Sequence, residues 1–330
     1  MVHLNFQILY DCNFRCKICD FWKPPYKEIP KISLAQVRLI TQKIRTMGPM
    51  IISIGGGEPF MHPELLEITR CLAQDHFPVM ICNGWFVNAE NSRALFKAGL
   101  QEVSVSLDYI SAAKHDQQRG VAGAHERAIN SLKTLQQNRT SPHQRVILIM
   151  VVMDDNLEDI EPLILLAGKL GVLFSVTLYS SSRGLKQCRQ PLPEVADHLL
   201  KLRKKYSHFV SLPGYLKGFS SVARQQPLAS ACYAGKNIFN IDCQGAVSLC
   251  IDTLTEPVGN IFSDDIAVLK QKLWQKHQHN SCSDCWTSCR GSIETLMYGK
   301  ERLHNLWHSY QFVKKIPLAK VTRHEEHSGH

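Results

Sequence analysis

The sequence predicts an α/β protein: an open, partial (β/α)6 barrel with a small C-terminal α+β domain. Short β-branched runs alternate with amphipathic, helix-period stretches up to about residue 206. This alternation predicts a parallel sheet with right-handed crossovers, and six strand–helix units are too few for a closed eight-stranded barrel. From residue 207 a passage rich in Gly, Pro and Ser precedes most of the remaining cysteines. We therefore expect a barrel at 1–210, a cysteine-bearing domain at 211–310 and a polar, flexible tail at 311–330.

The predicted elements follow one another in chain order. Strands are expected at 4–10, 50–54, 77–82, 102–107, 145–153 and 172–178. Helices are expected at 33–46, 63–74, 89–98, 123–137, 157–170 and 193–206. Ser33 and Gln36 have the spacing of a capping box, and Pro63 and Pro193 suit the first position of a helix. Because chemistry gathers at the carboxyl ends of parallel strands, we expect site residues in the loops that follow them.

Composition narrows the class of protein. The chain has 330 residues, of which 44% are apolar, so a large hydrophobic core is expected. The N-terminus lacks the features of a secretory signal, and no apolar run approaches the roughly 20 residues that a membrane span needs. We therefore expect a cytoplasmic protein without a membrane span. In that compartment thiols stay reduced, so twelve cysteines indicate metal binding or catalysis more than disulfides.

The formal net charge is +9, with Lys and Arg scattered along the chain. A basic surface can attract nucleic acid, but the sequence shows no nucleic-acid-binding module and no basic stripe interleaved with aromatic residues. We interpret the charge as solvated helix faces together with affinity for an anionic small molecule. The histidines at 304, 308, 324, 327 and 330 lie in a polar C-terminal stretch, which we interpret as loosely structured and not as a metal site.

Three cysteines follow the first predicted strand with the spacing Cys-x3-Cys-x2-Cys, at Cys12, Cys16 and Cys19. Thiolates suit both zinc and iron–sulfur clusters, and these spacings let one loop surround a single metal centre. A structural zinc site needs four ligands, whereas three leave one coordination position open. The loop therefore predicts a cubane with one iron free to bind a ligand.

Together with "GGEP" after the second strand, this loop resembles the radical S-adenosylmethionine (radical SAM) superfamily. The resemblance implies a [4Fe–4S] cluster that binds S-adenosylmethionine and supplies an electron for its cleavage. The resulting 5′-deoxyadenosyl radical abstracts hydrogen from a substrate. In this interpretation Gly56 and Gly57 let the backbone approach the cofactor, and Glu58 accepts hydrogen bonds from the methionine ammonium.

Further strand ends match positions that contact the cofactor or the substrate in the superfamily. Asn83 is expected at the cofactor, and Ser106 and Asp108 at the ribose or the substrate. Asp108 and Tyr179 are both candidates for a general base, and the sequence does not rank them. Arg119 is expected to bind the methionine carboxylate through two parallel hydrogen bonds. The alternative for each residue is a capping role or a salt bridge.

The sequence departs from the superfamily pattern immediately before the third cysteine. An aromatic residue is common there, but this chain has Ile18. An aliphatic side chain can still wall the adenine, and Phe21 or Trp22 is available to replace the missing aromatic ring.

The C-terminal cysteines resemble the auxiliary-cluster domains called SPASM and twitch. Cys232 and Cys250 flank Gly245 at the spacing of these domains, and a β-hairpin would bring the two cysteines together. A helix at about 264–277 leads to the last thiols. The preferred ligands of a second [4Fe–4S] cluster are Cys232, Cys250, Cys282 and Cys285. Cys289 can replace one of these or join Cys243 in an incomplete further cluster, and two thiolate pairs also allow a zinc site.

The resemblance implies an oxidoreductase whose auxiliary cluster transfers an electron or binds substrate. The substrate is a small molecule or a peptide, and a flavodoxin- or ferredoxin-type protein is the expected electron donor. Only eleven residues precede Cys12, which favours a small substrate or a peptide presented by a separate leader-binding protein. The competing hypothesis of another class is a non-catalytic zinc or iron–sulfur protein that binds RNA.

Overall fold

The computed structural model describes residues 1–180, 186, 194–224, 226, 232–282 and 285–298. A nine-stranded sheet organises these residues. Its strands are β1 (His3–Leu9), β2 (Ile51–Gly56), β3 (Phe77–Cys82), β4 (Glu102–Ser106), β5 (Arg145–Val152), β6 (Leu173–Leu178), β7 (Ile238–Ile241), β8 (Ala246–Ser248) and β9 (Gly259–Asn260). Strands β1 to β6 are parallel neighbours in chain order, which confirms the predicted six-unit partial barrel.

Ten α-helices accompany this sheet in the described part of the chain. They are α1 (Leu34–Ile44), α2 (Leu65–Leu72), α3 (Ala89–Lys97), α4 (Ala112–Arg119), α5 (Ala124–Gln137), α6 (Ile160–Leu170), α7 (Val195–Lys205), α8 (Pro213–Ala223), α9 (Ile266–Gln278) and α10 (Ser288–Met297). The capping box before α1 is present, with the Ser33 hydroxyl accepting from the Gln36 amide. Among the described residues, no helix is long and apolar enough to cross a membrane.

The first strand shows how the core positions the site. Every residue of β1 is buried, because β1 lies between β2 and β7 and has both faces covered. Leu4, Phe6 and Ile8 are fully buried in the hydrophobic core, and each such side chain contributes about 1.5–3 kcal/mol. Asn5 and Gln7 alternate with them, so they point to the opposite, inner face. One face of β1 therefore anchors the barrel while the other presents polar groups to its interior.

The sheet runs across the predicted boundary at residue 211. Strand β7 pairs in parallel with β1, from His3 opposite Ile238 to Phe6 opposite Ile241. The passage at the predicted domain boundary contains α8, where Pro213 occupies an early helical position that does not need its missing N–H. The exact domain division stays a prediction.

The hairpin expected around Gly245 is present. Strands β7 and β8 are antiparallel, and Gly245 adopts φ +81° at the turn, a conformation that favours glycine. Helix α9 begins after Asp265, whose carboxylate accepts from the Ala267 amide, in agreement with the predicted helix. The predicted tail at 311–330 and the histidines at 304, 308, 324, 327 and 330 lie outside the described residues.

Candidate active site

The loop after β1 carries three thiols that line one cavity. Cys12, Cys16 and Cys19 surround a space of about 280 Å³. The wall of this cavity also contains six residues that were predicted to bind the cofactor: Gly56, Gly57, Glu58, Asn83, Ser106 and Arg119. The structure therefore brings the predicted thiols and these six residues together at one end of the barrel.

Burial controls the protonation of the three thiols. Loss of hydration raises the pKa of Cys12 to about 12 and that of Cys19 to about 11, and it also raises the pKa of Cys16. A bound metal replaces the thiol proton, so buried thiols on one cavity wall suit a metal centre. Among the described residues, no three His, Cys, Asp or Glu side chains are grouped so as to hold a single ion. The thiols line a cavity instead, as the ligands of a larger cluster would.

Trp22 holds the thiol-bearing loop in shape. Its indole N–H donates to the carbonyl oxygens of Cys16 and Cys19, at 3.3 and 2.9 Å. Phe21 and Trp22 both line the cavity, whereas Ile18 packs against the apolar groups around Phe14 and around Tyr109. The ring of Trp22 thus lies at the cavity wall, and its N–H links two backbone carbonyls of the loop.

The glycines after β2 allow close backbone contacts within the protein itself. A Cβ atom on Gly56 would overlap the Leu9 carbonyl oxygen, and one on Gly57 would overlap the Asp11 carbonyl oxygen. Gly56 also adopts φ +113°, where only glycine is comfortable. The Gly57 amide donates to the Leu9 carbonyl at 2.9 Å. Gly56 and Gly57, which were predicted to let the backbone approach the cofactor, therefore also allow the end of β2 to contact the cysteine loop.

Glu58 joins the ends of β2 and β3 through its carboxylate. Oε2 accepts from the Asn83 amide at 2.8 Å, and Oε1 accepts from the Phe60 amide at 3.1 Å. Burial raises the pKa of Glu58 to about 7, although both backbone donors oppose the shift. Each carboxylate oxygen has a second lone pair, so an ammonium group in the cavity can still bind there.

Asn83 and Ser106 stand at neighbouring strand ends. The Asn83 side chain donates to Oδ1 of Asn13 at 2.8 Å and accepts from the Trp85 amide at 2.9 Å. Both ends of the amide are therefore engaged, and this orients the residue at the cavity wall. Ser106 ends β4 and lines the same wall.

Arg119 forms an ion pair with Asp108, the acidic residue that follows β4. Its Nη2 atom lies 2.6 Å from Oδ2 of Asp108, with the two side chains 8% and 0% exposed. Oδ1 of Asp108 accepts from the Val151 amide at 2.9 Å. The structure does not bring Asp108 to the cavity wall, and both of its carboxylate oxygens are engaged, so its surroundings do not support a general-base role. The pair instead holds Arg119 in place.

The guanidinium of Arg119 has capacity left for a ligand. It lies within hydrogen-bonding reach of the Cys16 thiol, and it lines the cavity. Within the described residues, its Nε atom is buried and has no hydrogen-bond partner. A carboxylate in the cavity would satisfy this donor. The donor set of the site thus fits a cluster together with an amino acid bound through its ammonium and carboxylate groups.

Helix α4, which sequence reasoning missed, presents Arg119. The short, polar segment "AAKHDQQR" gave no helical apolar stripe. Its last turn meets the cysteine loop directly, because the Arg15 amide donates to the Arg119 carbonyl at 3.1 Å and the Lys17 amide donates to the Gln118 carbonyl at 2.9 Å. The helix therefore positions both the arginine and the loop.

A second cavity of about 370 Å³ adjoins the first. The two cavities share Ser53, Ile81 and Cys289 in their walls. Ser292 and Ile293 of α10 close it opposite the inward-facing strand residues. Sequence reasoning did not predict α10, and the apolar spacing of Ile293 and Leu296 was the only available signal. The barrel interior is thus covered by α10, which carries the last cysteine, Cys289.

The C-terminal thiols form a second group. Burial raises the pKa of Cys232 to about 12 and that of Cys250 to about 11, and the nearby Cys285 thiol raises both further. Cys282 has the same effect on Cys285. Asn280 links the segments, since its Nδ2 atom donates to the Cys232 carbonyl and its Oδ1 atom accepts from the Cys282 amide. Four buried or half-buried thiols drawn together in this way fit a second cluster.

The two remaining C-terminal cysteines, Cys289 and Cys243, have further contacts outside this group. The Cys289 thiol donates to Oδ1 of Asn5 at 3.7 Å and lines both barrel cavities, although Cys285 and Cys250 also raise its pKa. Cys243 is 3% exposed at the hairpin turn, where its charged neighbours are Asp242 and Asp11.

Comparison with known proteins relates the chain to a family of enzymes. Residues 6–167 match the family model described as "Radical SAM superfamily". The chain is 25% identical over 309 residues to the mycofactocin maturase MftC of Mycobacterium ulcerans (strain Agy99), covering 87% of this chain and 81% of MftC. It is 28% identical over 171 residues to an AdoMet-dependent heme synthase of Methanosarcina barkeri (strain Fusaro / DSM 804), covering 52% of this chain and 48% of the synthase.

Among solved structures, the fold is similar to that of Streptococcus suis SuiB bound to its precursor peptide SuiA. The TM-score is 0.67 at 16% identity, over 82% of this chain and 64% of SuiB. The chain thus spans less than two thirds of SuiB and about half of the heme synthase. Residues 6–167 belong to the radical SAM superfamily of enzymes, which use a [4Fe–4S] cluster and S-adenosylmethionine, and the chain has the fold of members with a SPASM-type auxiliary domain.

Proposed function

We propose that this enzyme modifies a peptide by radical chemistry during biosynthesis of a modified peptide. The observation that carries the proposal is the single cavity that unites the thiols of Cys12, Cys16 and Cys19 with Glu58 and Arg119. When bound, the cluster and S-adenosylmethionine supply the 5′-deoxyadenosyl radical that abstracts hydrogen from the substrate. The protein binds and orients the reactants and excludes water.

We assign the cofactor contacts from the geometry. The three thiols hold the cluster, and Glu58 accepts hydrogen bonds from the methionine ammonium. Arg119, fixed by Asp108, donates to the methionine carboxylate. Asn83 and Ser106 stand at strand ends on the same wall and contact the nucleoside. The adjoining cavity of about 370 Å³ receives the part of the substrate that reacts.

We assign the auxiliary cluster to four ligands: Cys232, Cys250, Cys282 and Cys285. Their mutual electrostatic influence and the Asn280 link support this set. Cys289 is left out because its thiol bonds to Asn5 and faces the barrel interior. The auxiliary cluster would accept an electron from the substrate or bind the substrate directly.

A peptide substrate is supported by the similarity to a protein named as a maturase and by the fold shared with SuiB, whose structure contains a precursor peptide. A separate leader-binding partner would present the peptide. A small molecule is the second candidate substrate, favoured by the similarity to a heme synthase over 52% of this chain. Incubation with candidate precursor peptides or with a tetrapyrrole precursor, followed by mass spectrometry, distinguishes the two.

The electron donor in this proposal is a flavodoxin- or ferredoxin-type protein. Such a donor must approach the protein surface, and the net charge of +9 would attract an acidic carrier. The proposal also requires a reducing compartment such as the cytoplasm, where free thiols persist.

The decisive experiment measures cleavage of S-adenosylmethionine. Anaerobically reconstituted protein with dithionite should form 5′-deoxyadenosine, whereas the Cys12→Ala/Cys16→Ala/Cys19→Ala variant should not. That variant should retain about four irons if one auxiliary cubane is present. Failure of the reconstituted parent protein to form 5′-deoxyadenosine would overturn the proposal.

A further inference from the structure

A buried ion pair on α10 lies among the C-terminal thiols. Nε of Arg290 is 2.9 Å from Oε1 of Glu294, one helical turn away, and each side chain is 3% exposed. Burying two charges costs several kcal/mol unless further hydrogen bonds satisfy them. The backbone groups that hydrogen-bond to Arg290 and Glu294 therefore show which segments this ion pair holds together.

The pair connects the two segments that carry the proposed ligands. Nη1 of Arg290 donates to the carbonyl oxygen of Cys285 at 3.0 Å and makes a longer contact, 3.4 Å, with that of Cys282. Oε1 of Glu294 accepts from the amide of Tyr233, the residue after Cys232, at 3.2 Å. One side-chain pair thus spans the hairpin side and the Cys-x2-Cys side of the thiol group.

Hydrogen bonding alone does not require charge at this position, because neutral side chains can also bind carbonyl and amide groups. The Arg290 guanidinium, however, is close enough to the Cys232 and Cys285 thiols for electrostatic attraction. A cluster held by four thiolates becomes more negative when it gains an electron. A buried cation beside it favours the reduced state, and a buried anion opposes it.

We propose that Arg290 and Glu294 form a positioning pair that sets both the spacing of the auxiliary ligands and the reduction potential of the auxiliary cluster. The proposal rests on the proposed function, since it takes Cys232, Cys250, Cys282 and Cys285 as ligands. The guanidinium makes the cluster easier to reduce, and the carboxylate limits that effect. Opposite shifts on neutralising the two residues are the signature of this role.

The test uses the full chain with Cys12, Cys16 and Cys19 changed to Ala, so that iron can enter only the auxiliary site. After anaerobic reconstitution, iron is counted and the midpoint potential is followed by EPR. Arg290→Gln should lower the potential, Glu294→Gln should raise it, and Arg290→Lys should keep it close to that of the parent. Arg70→Gln, a change at an exposed arginine of α2, is the matched control and should not shift it.

The outcomes separate the two proposals. A parent variant that binds no iron would overturn the auxiliary ligand set, and the role of the pair with it. A parent that binds about four irons, combined with unshifted or same-direction potentials in Arg290→Gln and Glu294→Gln, would overturn the pair alone. If Arg290→Gln fails to fold, the other two variants still decide the question. Only a charge effect would raise the midpoint potential in Glu294→Gln and also leave it unchanged in Arg290→Lys.

Discussion

The thiol of Cys289 donates a hydrogen bond to Oδ1 of Asn5 at 3.7 Å, which connects the first turn of α10 to the inner face of β1. Asn5 also interacts with His3 through the same oxygen, at 3.1 Å. Cys289 is therefore part of a polar network in the barrel interior, even though it lies four residues from a proposed cluster ligand.

This placement predicts different effects for two cysteines of the same segment. In the variant that lacks the first cluster, Cys285→Ser should lose most of the auxiliary iron, because serine is a poor ligand for iron–sulfur clusters. Cys289→Ser should keep about four irons, since its hydroxyl can still donate to Asn5. Iron analysis and the visible absorption spectrum provide the measurement, and equal loss in both variants would make Cys289 a ligand.

Asp108→Asn tests whether the buried acid positions Arg119 or exchanges protons. The change keeps an oxygen for the Val151 amide but removes the charge opposite the guanidinium, and breaking a buried pair in this way costs about 3–5 kcal/mol. We expect lower stability in chemical denaturation and weaker binding of S-adenosylmethionine, with an unchanged pH profile for its cleavage. A shifted pH profile at unchanged cofactor affinity would instead support a general base.

The sequence predicted the barrel well because its signals are local. The six strands and six of the helices follow from apolar periodicity, and the capping box at Ser33 was correctly located. The three thiols and the GGEP run are also contiguous motifs, so their presence at one cavity could be anticipated from the position of each loop after a strand.

The contacts that the sequence could not reveal are long-range or conflict with local cues. The pairing of β7 with β1 joins residues more than 230 positions apart, and no local pattern encodes it. The Gly and Pro content around α8 predicted a domain boundary and no helix, but the segment forms α8, in which Tyr215 and Phe219 are buried. Arg119 was predicted to bind a ligand, but the sequence did not show that Asp108 would hold it.

Lys43 joins the barrel to the C-terminal region, and its loss should destabilise the fold. Its Nζ atom donates to the carbonyl oxygens of Ile261 at 2.6 Å and Asp264 at 3.0 Å. Lys43→Met leaves these partly buried carbonyls without a donor, which costs about 1–3 kcal/mol. Urea denaturation should show this loss, while Lys97→Met, at an exposed position of α3, should remain within about 0.5 kcal/mol of the parent. Equal stability of both variants would contradict the role of Lys43.

Glu58 predicts a pH dependence of the stability of the cluster-free protein. Its pKa is raised to about 7 in the fold, so the folded state holds this proton more tightly than the unfolded state does. Protonation of Glu58 therefore adds to the free energy of unfolding below about pH 4.5, by an amount on the order of 3 kcal/mol. This contribution is lost as the pH rises to about 7.

Glu58→Gln removes this titration. The variant loses one acceptor for a backbone amide at every pH, but its free energy of unfolding should fall less than that of the parent between pH 5 and pH 8. Denaturant titrations at both pH values measure the difference, and parallel losses in the two proteins would show that the Glu58 carboxyl does not titrate in this range.

The two ends of the glycine run after β2 provide a matched pair of alanine variants. A Cβ atom on Gly57 would overlap the Asp11 carbonyl, so Gly57→Ala must push the cysteine loop away from β2. A Cβ atom on Gly55 would meet only Oε1 of Gln7, at 3.9 Å, which is an ordinary contact. We expect Gly57→Ala to lower stability and the iron content of the first cluster. Gly55→Ala should preserve both and alter only binding in the cavity that this residue lines. Comparable iron loss in the two variants would show that the run serves the ligand and not the contact between β2 and the loop.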